Sequence, residues 1–556
     1  MCSLSHGDIT FDGFFTGSSA ADFLLGLHHH YDQANAKPHY TPHYRQIETY
    51  FQDDWKVNSR LTVNLGSRFF YYSPDWLTQP NGATLETTNF DFSKFNPAQA
   101  PVVNPDGSLL TNGAGIPITS IGTAANLQNG LVYNTDPTVP RGFYNSKRVY
   151  IGPRVGFAYA LTSDGRTSFH AGYGIGYVHI PFQILNNFSS NPPGVATVNY
   201  TTGTLENPTA GAVTVAAPRP QGLQLTNPQF KPSAVQSFSA IVEREVLRGS
   251  VLQLGYVGSL SRRGRVNIDT NQVLPTSTPF ANCGQTPATV YDFDPCINSG
   301  KISSDYERPY QGWSGFTEPV YEGSAHYNSL QSQFKYEKKV IHTTVNYTWG
   351  RTEGDTSNNG TDFREASSSV QNAYCLKCEY GLINFDRTHI FSGNVIYQLP
   401  FYANGTNRLV KNVIGGWSVS GIALAQSGFA FTPTLATSNA GLATRPNQVG
   451  TLRVSSNRKA IFNADAFQAP GFGFFGNAKH GIIRGPKEVA FNAELNKTFD
   501  ITERMKFQFQ AQVFNIANHP SFSNMHTGIG PNEPNPGLVS SPSDQRIMQV
   551  VGRISF

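Results

Sequence analysis

The sequence predicts an all-β chain, an antiparallel transmembrane β-barrel with about fourteen visible strands. Three observations predict it. Side chains alternate apolar and polar over stretches of ten to twelve residues, connections alternate short and long, and the composition is rich in aromatics and poor in charge. Aromatic residues make up 12% of the 556 positions, with 39 Phe and 25 Tyr, while charged residues make up only 14%, against about 25% in ordinary soluble domains. The 52 Gly and 35 Pro show no collagen period. No apolar run approaches the ~20 residues that a membrane-spanning helix needs.

The alternation locates the strands. Thr167, Phe169, Ala171, Tyr173, Ile175 and Tyr177 share one face, against Arg166, Ser168, His170 and three glycines on the other. Leu61, Val63, Leu65, Ser67, Phe69 and Tyr71 oppose Thr62, Asn64, Gly66, Arg68 and Phe70. A pleated strand puts such sets on opposite sides of a sheet. The strands expected on this basis are Gly7–Phe15, Arg45–Val57, Leu61–Tyr72, Tyr150–Leu161, Arg166–Tyr177, Val235–Val246 and Ser250–Gly258. They continue with Tyr327–Lys338, Val340–Trp349, Thr388–Leu399, Gly416–Gln426, Val489–Phe499, Met505–Asn515 and Arg546–Phe556. Eleven residues at ~3.3 Å each and ~40° tilt rise about 28 Å, close to the ~25 Å apolar band of an outer-membrane barrel.

Short links such as Asn58-Ser59-Arg60, Thr162 to Gly165, Leu247-Arg248-Gly249 and Asp500 to Arg504 alternate with long segments at 73–149, 178–234, 259–326, 350–387, 427–488 and 516–545. Transmembrane barrels show that asymmetry, with short turns periplasmic and long loops extracellular. Aromatics at the upper strand ends (Phe69, Tyr71, Tyr72, Tyr173, Tyr177, Tyr347 and Trp349) are expected to form an interfacial girdle. The whole span 1–556 reads as one barrel domain. A β-propeller would repeat every ~40–50 residues, and no such period is present.

The last strand places Met548, Val550, Ile554 and Phe556 on one face, with Gly552 between them. An alternating strand ending in a terminal Phe is similar to the signal read by the outer-membrane assembly machinery, which needs an open strand edge as a template.

The segments Gly17-Ser18-Ser19-Ala20-Ala21-Asp22-Phe23-Leu24-Leu25-Gly26, Tyr50-Phe51-Gln52-Asp53-Asp54-Trp55-Lys56-Val57 and Leu61 to Phe69 resemble the barrel of TonB-dependent receptors, and more narrowly the Oar-like group. Pro153 to Tyr159 and Phe514 to Pro520 carry the same likeness. It implies an integral protein of the Gram-negative outer membrane, in contact with lipid and with the barrel assembly machinery. It also implies a receptor that binds a solute at its extracellular loops and passes it to the periplasm, energised through the TonB complex. Neither a signal peptide nor a plug is recognisable, so the chain is expected to correspond to the carboxyl-terminal part of a barrel of about 22 strands, with TonB coupling dependent on an amino-terminal portion. Two other readings stay open: a surface adhesion protein built on a barrel, and a soluble carbohydrate-binding β-protein.

The remaining motifs are sparse. Cys375-x-x-Cys378 lacks the second pair of a zinc site and the βαβ context of a redox motif, so it reads as a loop disulfide, as do Cys283 and Cys296. His28-His29-His30, with His39 and His43 nearby, lie on extended chain where imidazoles do not converge, so no metal site is assigned. Residues Ala20–Leu27 read as a short apolar helix packed within its loop. No catalytic constellation and no cofactor motif is visible, so no enzyme is expected. The Lys and Arg are scattered, which argues against nucleic acid as a partner. Arg68, Arg166, His170, Glu494 and Lys497 are candidates to set the electrostatics of a lumen.

Overall fold

The computed structural model describes residues 7–11, 14–34, 39–145, 149–178, 191–195, 197–208, 218–273, 302–355, 370–402, 407–435, 445–470, 475–502, 504–530, 535–543 and 545–556. Its frame is a 15-stranded sheet. Thirteen of the strands succeed one another as an uninterrupted antiparallel meander, and two short ones attach to its flank. The meander runs β1 (Gln46–Lys56), β2 (Leu61–Tyr72), β3 (Val149–Ala160), β4 (Thr167–Val178), β5 (Ser233–Arg244), β6 (Ser250–Asp269), β7 (Trp313–Lys338), β8 (Ile341–Gly354), β9 (His389–Gln398), β10 (Trp417–Gln426), β11 (Glu488–Asp500), β12 (Lys506–Phe514) and β13 (Ile547–Ser555).

The registers explain why these residues form these strands. Leu61, Val63 and Leu65 of β2 lie opposite Tyr159, Phe157 and Val155 of β3, which in turn lie opposite Phe169, Ala171 and Tyr173 of β4. The same apolar row continues to Ala511 of β12 opposite Val550 of β13. One face of the sheet is therefore greasy along its whole width, and its large side chains stand open, as with Leu254 at 50% and Trp349 at 55% exposure. Inside lipid, strands can satisfy their backbone groups only by pairing with one another, and the meander does so for every interior strand.

Three expectations change. The segment Gly7–Phe15 is not a barrel strand. Among its described residues only Asp8–Thr10 is extended, and it pairs with Leu27–Ala34, which also pairs with Thr197–Thr204 in a separate three-stranded sheet. The physical reason is local: beyond it, Thr16 donates to the buried Asp22 carboxylate and folds the chain back into the helix Ser19–Leu25. That helix buries Asp22 alone and leaves Leu24 exposed, so its apolar side is not packed in the way the sequence suggests.

Second, β6 and β7 are far longer than expected, at 20 and 26 residues. The alternation fades after Gly258, yet the two strands stay paired up to Asp269↔Thr317, with register shifts around Gly264. At ~3.3 Å per residue the longer one reaches roughly 85 Å, well beyond any bilayer. Its upper part, from Trp313 to Gly323, is an arm above the membrane.

Third, Tyr72 and Tyr177 do not join an outer girdle. Tyr72 is buried, and both rings gather with Phe70 and Tyr150 in an inner cluster, with centroids 5.3–6.4 Å apart. Tyr173, Tyr347 and Trp349 stay on the apolar outer rows.

The densest packing lies in the loops. Strand residues are mostly half-exposed on both faces, as expected of a wall between lipid and a wet interior. Among the described residues, the long connections instead fold onto three apolar cores. One centres on Phe462, Phe467 and Ile483, one on Leu77, Phe143 and Tyr144, and one on Phe90, Leu223 and Phe316. Together they form a cap at the upper strand ends. The segment before β1 belongs to that side too, since Thr41–His43 pairs with Trp76–Thr78 and His43 stacks on Trp76.

Candidate functional site

Two regions of this architecture can meet a solute: the inner face of the wall and the cap above it. Along the wall, the faces opposite the apolar rows carry polar groups that bond from strand to strand. Ser168 Oγ meets His170 Nε2 at 3.0 Å, and His170 lies 3.6 Å from the Glu243 carboxylate. Gln253 donates to Glu243 at 2.7 Å, Gln333 to Asn346 at 2.8 Å, and Asn346 to Ser392 at 3.3 Å. With Gln253 registered opposite Gln333, this belt crosses six neighbouring strands, β4 to β9. Glu494 accepts from Gln512 and Asn496 further round. Above the level of the belt a concavity of about 640 Å³ opens in the wall, lined by Gln52, Asn64, Gly66, Arg154, Ser237 and Tyr327. Its floor exists because Gly66, Gly172 and Gly174 project no side chains there.

Among the residues expected to shape a lumen, Arg68 pairs with Glu48 on this inner face. His170 and Glu494 belong to the polar network. Arg166 sits in the turn, 3.7 Å from Asp164 and from Glu245. Lys497 is a correction. It shares the outer face of β11 with Leu495, opposite Trp417, and is shut away between the Trp417 and Phe499 rings while Nζ donates to the Gly415 carbonyl. It therefore sets no lumen potential.

The cap is stapled by buried amides and ion pairs. Asn89 and Thr226 exchange side chain-to-backbone bonds at 2.9 and 3.1 Å. The Asn271 amide accepts from Tyr310 N–H and donates to the Ser314 carbonyl, both at 2.8 Å. Arg308 bridges Asp269 and Asp305 at 2.7 and 2.8 Å. On the far side, Arg445 forks onto Glu379, which also meets His480 Nε2 at 2.7 Å. Glu379 ends the short turn Leu376–Glu379, directly after Cys375, and a disulfide joins Cys375 to Cys378. Cys283 and Cys296 lie outside the described residues. His28 is buried in the strand Leu27–Ala34; the side chains of His29 and His30 also lie outside them. Among the described residues, no group of three or more His, Cys, Asp or Glu could hold a metal ion.

Burial shapes the cap's electrostatics. The Asp75 carboxyl, beside the core of Leu77, Phe143 and Tyr144, is pushed up to about 8 by desolvation, against the opposing effect of its bond from Tyr144. Glu318, on the upper arm of β7, is also raised by burial. It lines a second cavity, of about 700 Å³, between Phe90, Phe92, Phe143 and Thr226. Sequence reasoning missed this site. Its one signal is Glu318, the single charged residue in the aromatic-rich run from Trp313 to Tyr321.

An apolar outer face, a polar inner face and a folded extracellular cap define a membrane barrel wall, and the family comparison agrees. Residues 3–549 match the family described as outer membrane beta barrel domain. The chain belongs to that family. It is thereby an integral outer-membrane β-barrel protein in contact with lipid. Among solved structures, it is similar to the outer membrane transporter YddB from Escherichia coli, with 10% identity over 93% of this chain and 55% of that one, TM-score 0.46. It is also similar to the siderophore receptor PiuA from Acinetobacter baumannii (10% identity, 95% and 44% covered, TM-score 0.41). A third is the ferripyoverdine receptor of the outer membrane of Pseudomonas aeruginosa (11% identity, 92% and 39% covered, TM-score 0.39). The chain thus spans about half the length of these structures. No curated protein matches it.

Proposed function

We propose that this barrel is a receptor and transporter, taking a solute at its extracellular cap and passing it along the polar inner wall to the periplasm. The observation that carries the reading is the belt from Ser168 and His170 through Glu243, Gln253 and Gln333 to Asn346 and Ser392. A wall that only had to stand in the membrane gains nothing from a lumen face of neutral and charged hydrogen-bonding groups. A passage for polar solutes needs one. The resemblance to TonB-dependent receptors adds that transport is driven through the TonB complex, and we read residues 1–556 as one barrel domain.

The strand count bears on how the barrel closes. In an antiparallel meander of thirteen strands, β1 and β13 run in the same direction, so they cannot pair antiparallel with each other. Among the described residues they do not pair at all. An even-numbered barrel of the usual kind therefore requires an odd number of further strands between these edges. That fits a wall of about 22 strands better than closure by this meander alone.

The test is uptake of labelled oligosaccharides and ferric chelates by cells whose outer membrane carries the protein. The measurement is made with the proton-motive force intact and again after it is dissipated. Energy-dependent accumulation of at least one solute supports the reading; a panel that never accumulates above cells lacking the protein counts against it.

A further inference from the structure

The cavity beneath the Phe90 core has the chemistry of a ligand site. Phe90 and Phe92 stand edge to face with ring centroids 5.2 Å apart, and Phe90 lies 4.7 Å from Phe316. Glu318 is two residues beyond Phe316 on β7, so the strand's alternation puts both on the same side. The cavity, about 700 Å³, is large enough for a small organic molecule. Besides Asn89 and Tyr144, its wall buries Glu318 at 7% and Thr226 at 2% exposure. Thr226 Oγ1 has no hydrogen-bond partner among the described residues, although both backbone groups of that residue are bonded to Asn89. No cation among the described residues forms an ion pair with Glu318.

A buried carboxyl without a counter-ion and a buried hydroxyl without a partner are costly features in a packed core. Aromatic faces beside them make the cost recoverable by one kind of guest, because a cation gains from the carboxylate and from the ring quadrupoles together. We propose that this cavity binds a small organic ammonium, its head on the Glu318 carboxylate and the Thr226 hydroxyl, its apolar body against Phe90, Phe92 and Phe143. Burial raises the Glu318 carboxyl in the empty cavity; a bound ammonium reverses that shift and holds the ionised form. The inference deepens the receptor reading by naming a ligand class for the cap.

The probes are 2-phenylethylammonium and its neutral counterpart 2-phenylethanol, titrated calorimetrically into the purified full chain in detergent micelles, with empty micelles subtracted. The ammonium is expected to bind with one-to-one stoichiometry and the alcohol to bind at least about tenfold more weakly. Glu318→Gln, nearly isosteric, should weaken the ammonium by a similar factor and leave the alcohol unchanged. Asn145→Trp, at an exposed position on the cavity wall, should block both probes without entering the buried core, which covers the case of a Gln variant that does not fold. Equal affinity for the two probes, no saturable binding of either, or ammonium binding indifferent to both substitutions overturns the proposal. Binding is read without transport. Saturable ammonium binding in a protein that accumulates no solute would overturn the transporter reading alone, and the converse result would overturn this one alone.

Discussion

Arg445 and Glu379, 66 residues apart in sequence, meet as a fork: Nη1 reaches Oε2 and Nη2 reaches Oε1, each at 3.0 Å. Both side chains are only 4% exposed. This pair fastens the connection between β8 and β9 to the one between β10 and β11. A buried pair gains little over apolar residues of the same shape, but losing one partner strands the other charge. Glu379→Leu or Arg445→Met alone should destabilise the cap by about 3–5 kcal/mol, and the double variant by clearly less than either single change. Hydrogen exchange at amides 371–383 and 445–450 reads the effect. Additive losses would show that the two groups act separately.

Asp75 makes the cap core of Leu77, Phe143 and Tyr144 sensitive to pH. Its neighbours are Tyr144, whose hydroxyl accepts from the Asp75 N–H at 3.1 Å, and Tyr321, itself near Arg265. With a folded pKa of about 8 against about 4 in the unfolded chain, the folded form retains a proton that the unfolded form has released. Stability is therefore complete below pH ~4 and falls as pH rises toward 8, by at most about 1.4 kcal/mol per unit. Exchange protection at residues 75–90 and 131–144 should be lower at pH 8 than at pH 5, and Asp75→Asn should remove most of that difference. Gly142 confines the site, since a Cβ there would run into the Asp75 carbonyl.

The two faces of the wall should respond oppositely to one substitution. Leu254 projects outward from the membrane-spanning part of β6, opposite Val242, whereas Ser239 projects inward from β5. Leu254→Arg should cost about 2–4 kcal/mol, the range for a cation at the bilayer midplane, and Ser239→Arg far less, because its guanidinium stays in the wet interior. Urea midpoints of the refolded protein in lipid vesicles provide the comparison. A reversed order would mean that the faces have been exchanged, and equal costs that the wall does not separate lipid from a wet interior.

The wall was legible because its signal is local. Period-two alternation places β2 at Leu61–Tyr72, the span observed, and puts the other boundaries within a few residues wherever apolar and polar residues strictly alternate. It failed where another force holds the strand. The upper arms of β6 and β7 are kept straight by pairing with each other and by buried Val266, Phe316 and Val320, not by an outward apolar row. Lys497 was misread for a related reason: its charge suggests the lumen, yet its position in the alternation puts it with Leu495, and its long stem lets the ammonium fold back onto a carbonyl. Of the cap, little beyond the Cys375–Cys378 disulfide was legible. Contacts such as Asn89 with Thr226 and Arg445 with Glu379 join residues 137 and 66 positions apart, and no periodicity records which loop will meet which.

The carboxyl-terminal strand offers the last prediction. In the fold, β13 pairs on one side with β12, from Lys506↔Ser555 to Phe514↔Ile547, and its other edge forms no ladder among the described residues. Met548, Val550 and Ile554 occupy the outer apolar face, and Phe556 beyond them is fully exposed. An open edge flanked by a greasy row is the form that a template for strand addition requires. If the assembly machinery reads that row, Ile554→Asp or removal of Phe556 should lower the assembled fraction several-fold. Arg553→Gln, on the inner face of the same strand, should leave it unchanged. Heat-modifiable gel migration after pulse labelling measures assembly, and the refolded variants in vesicles show whether the finished barrel is still stable. A variant that refolds normally in vitro but assembles poorly in cells has lost the signal, while one that fails in both has lost only the strand.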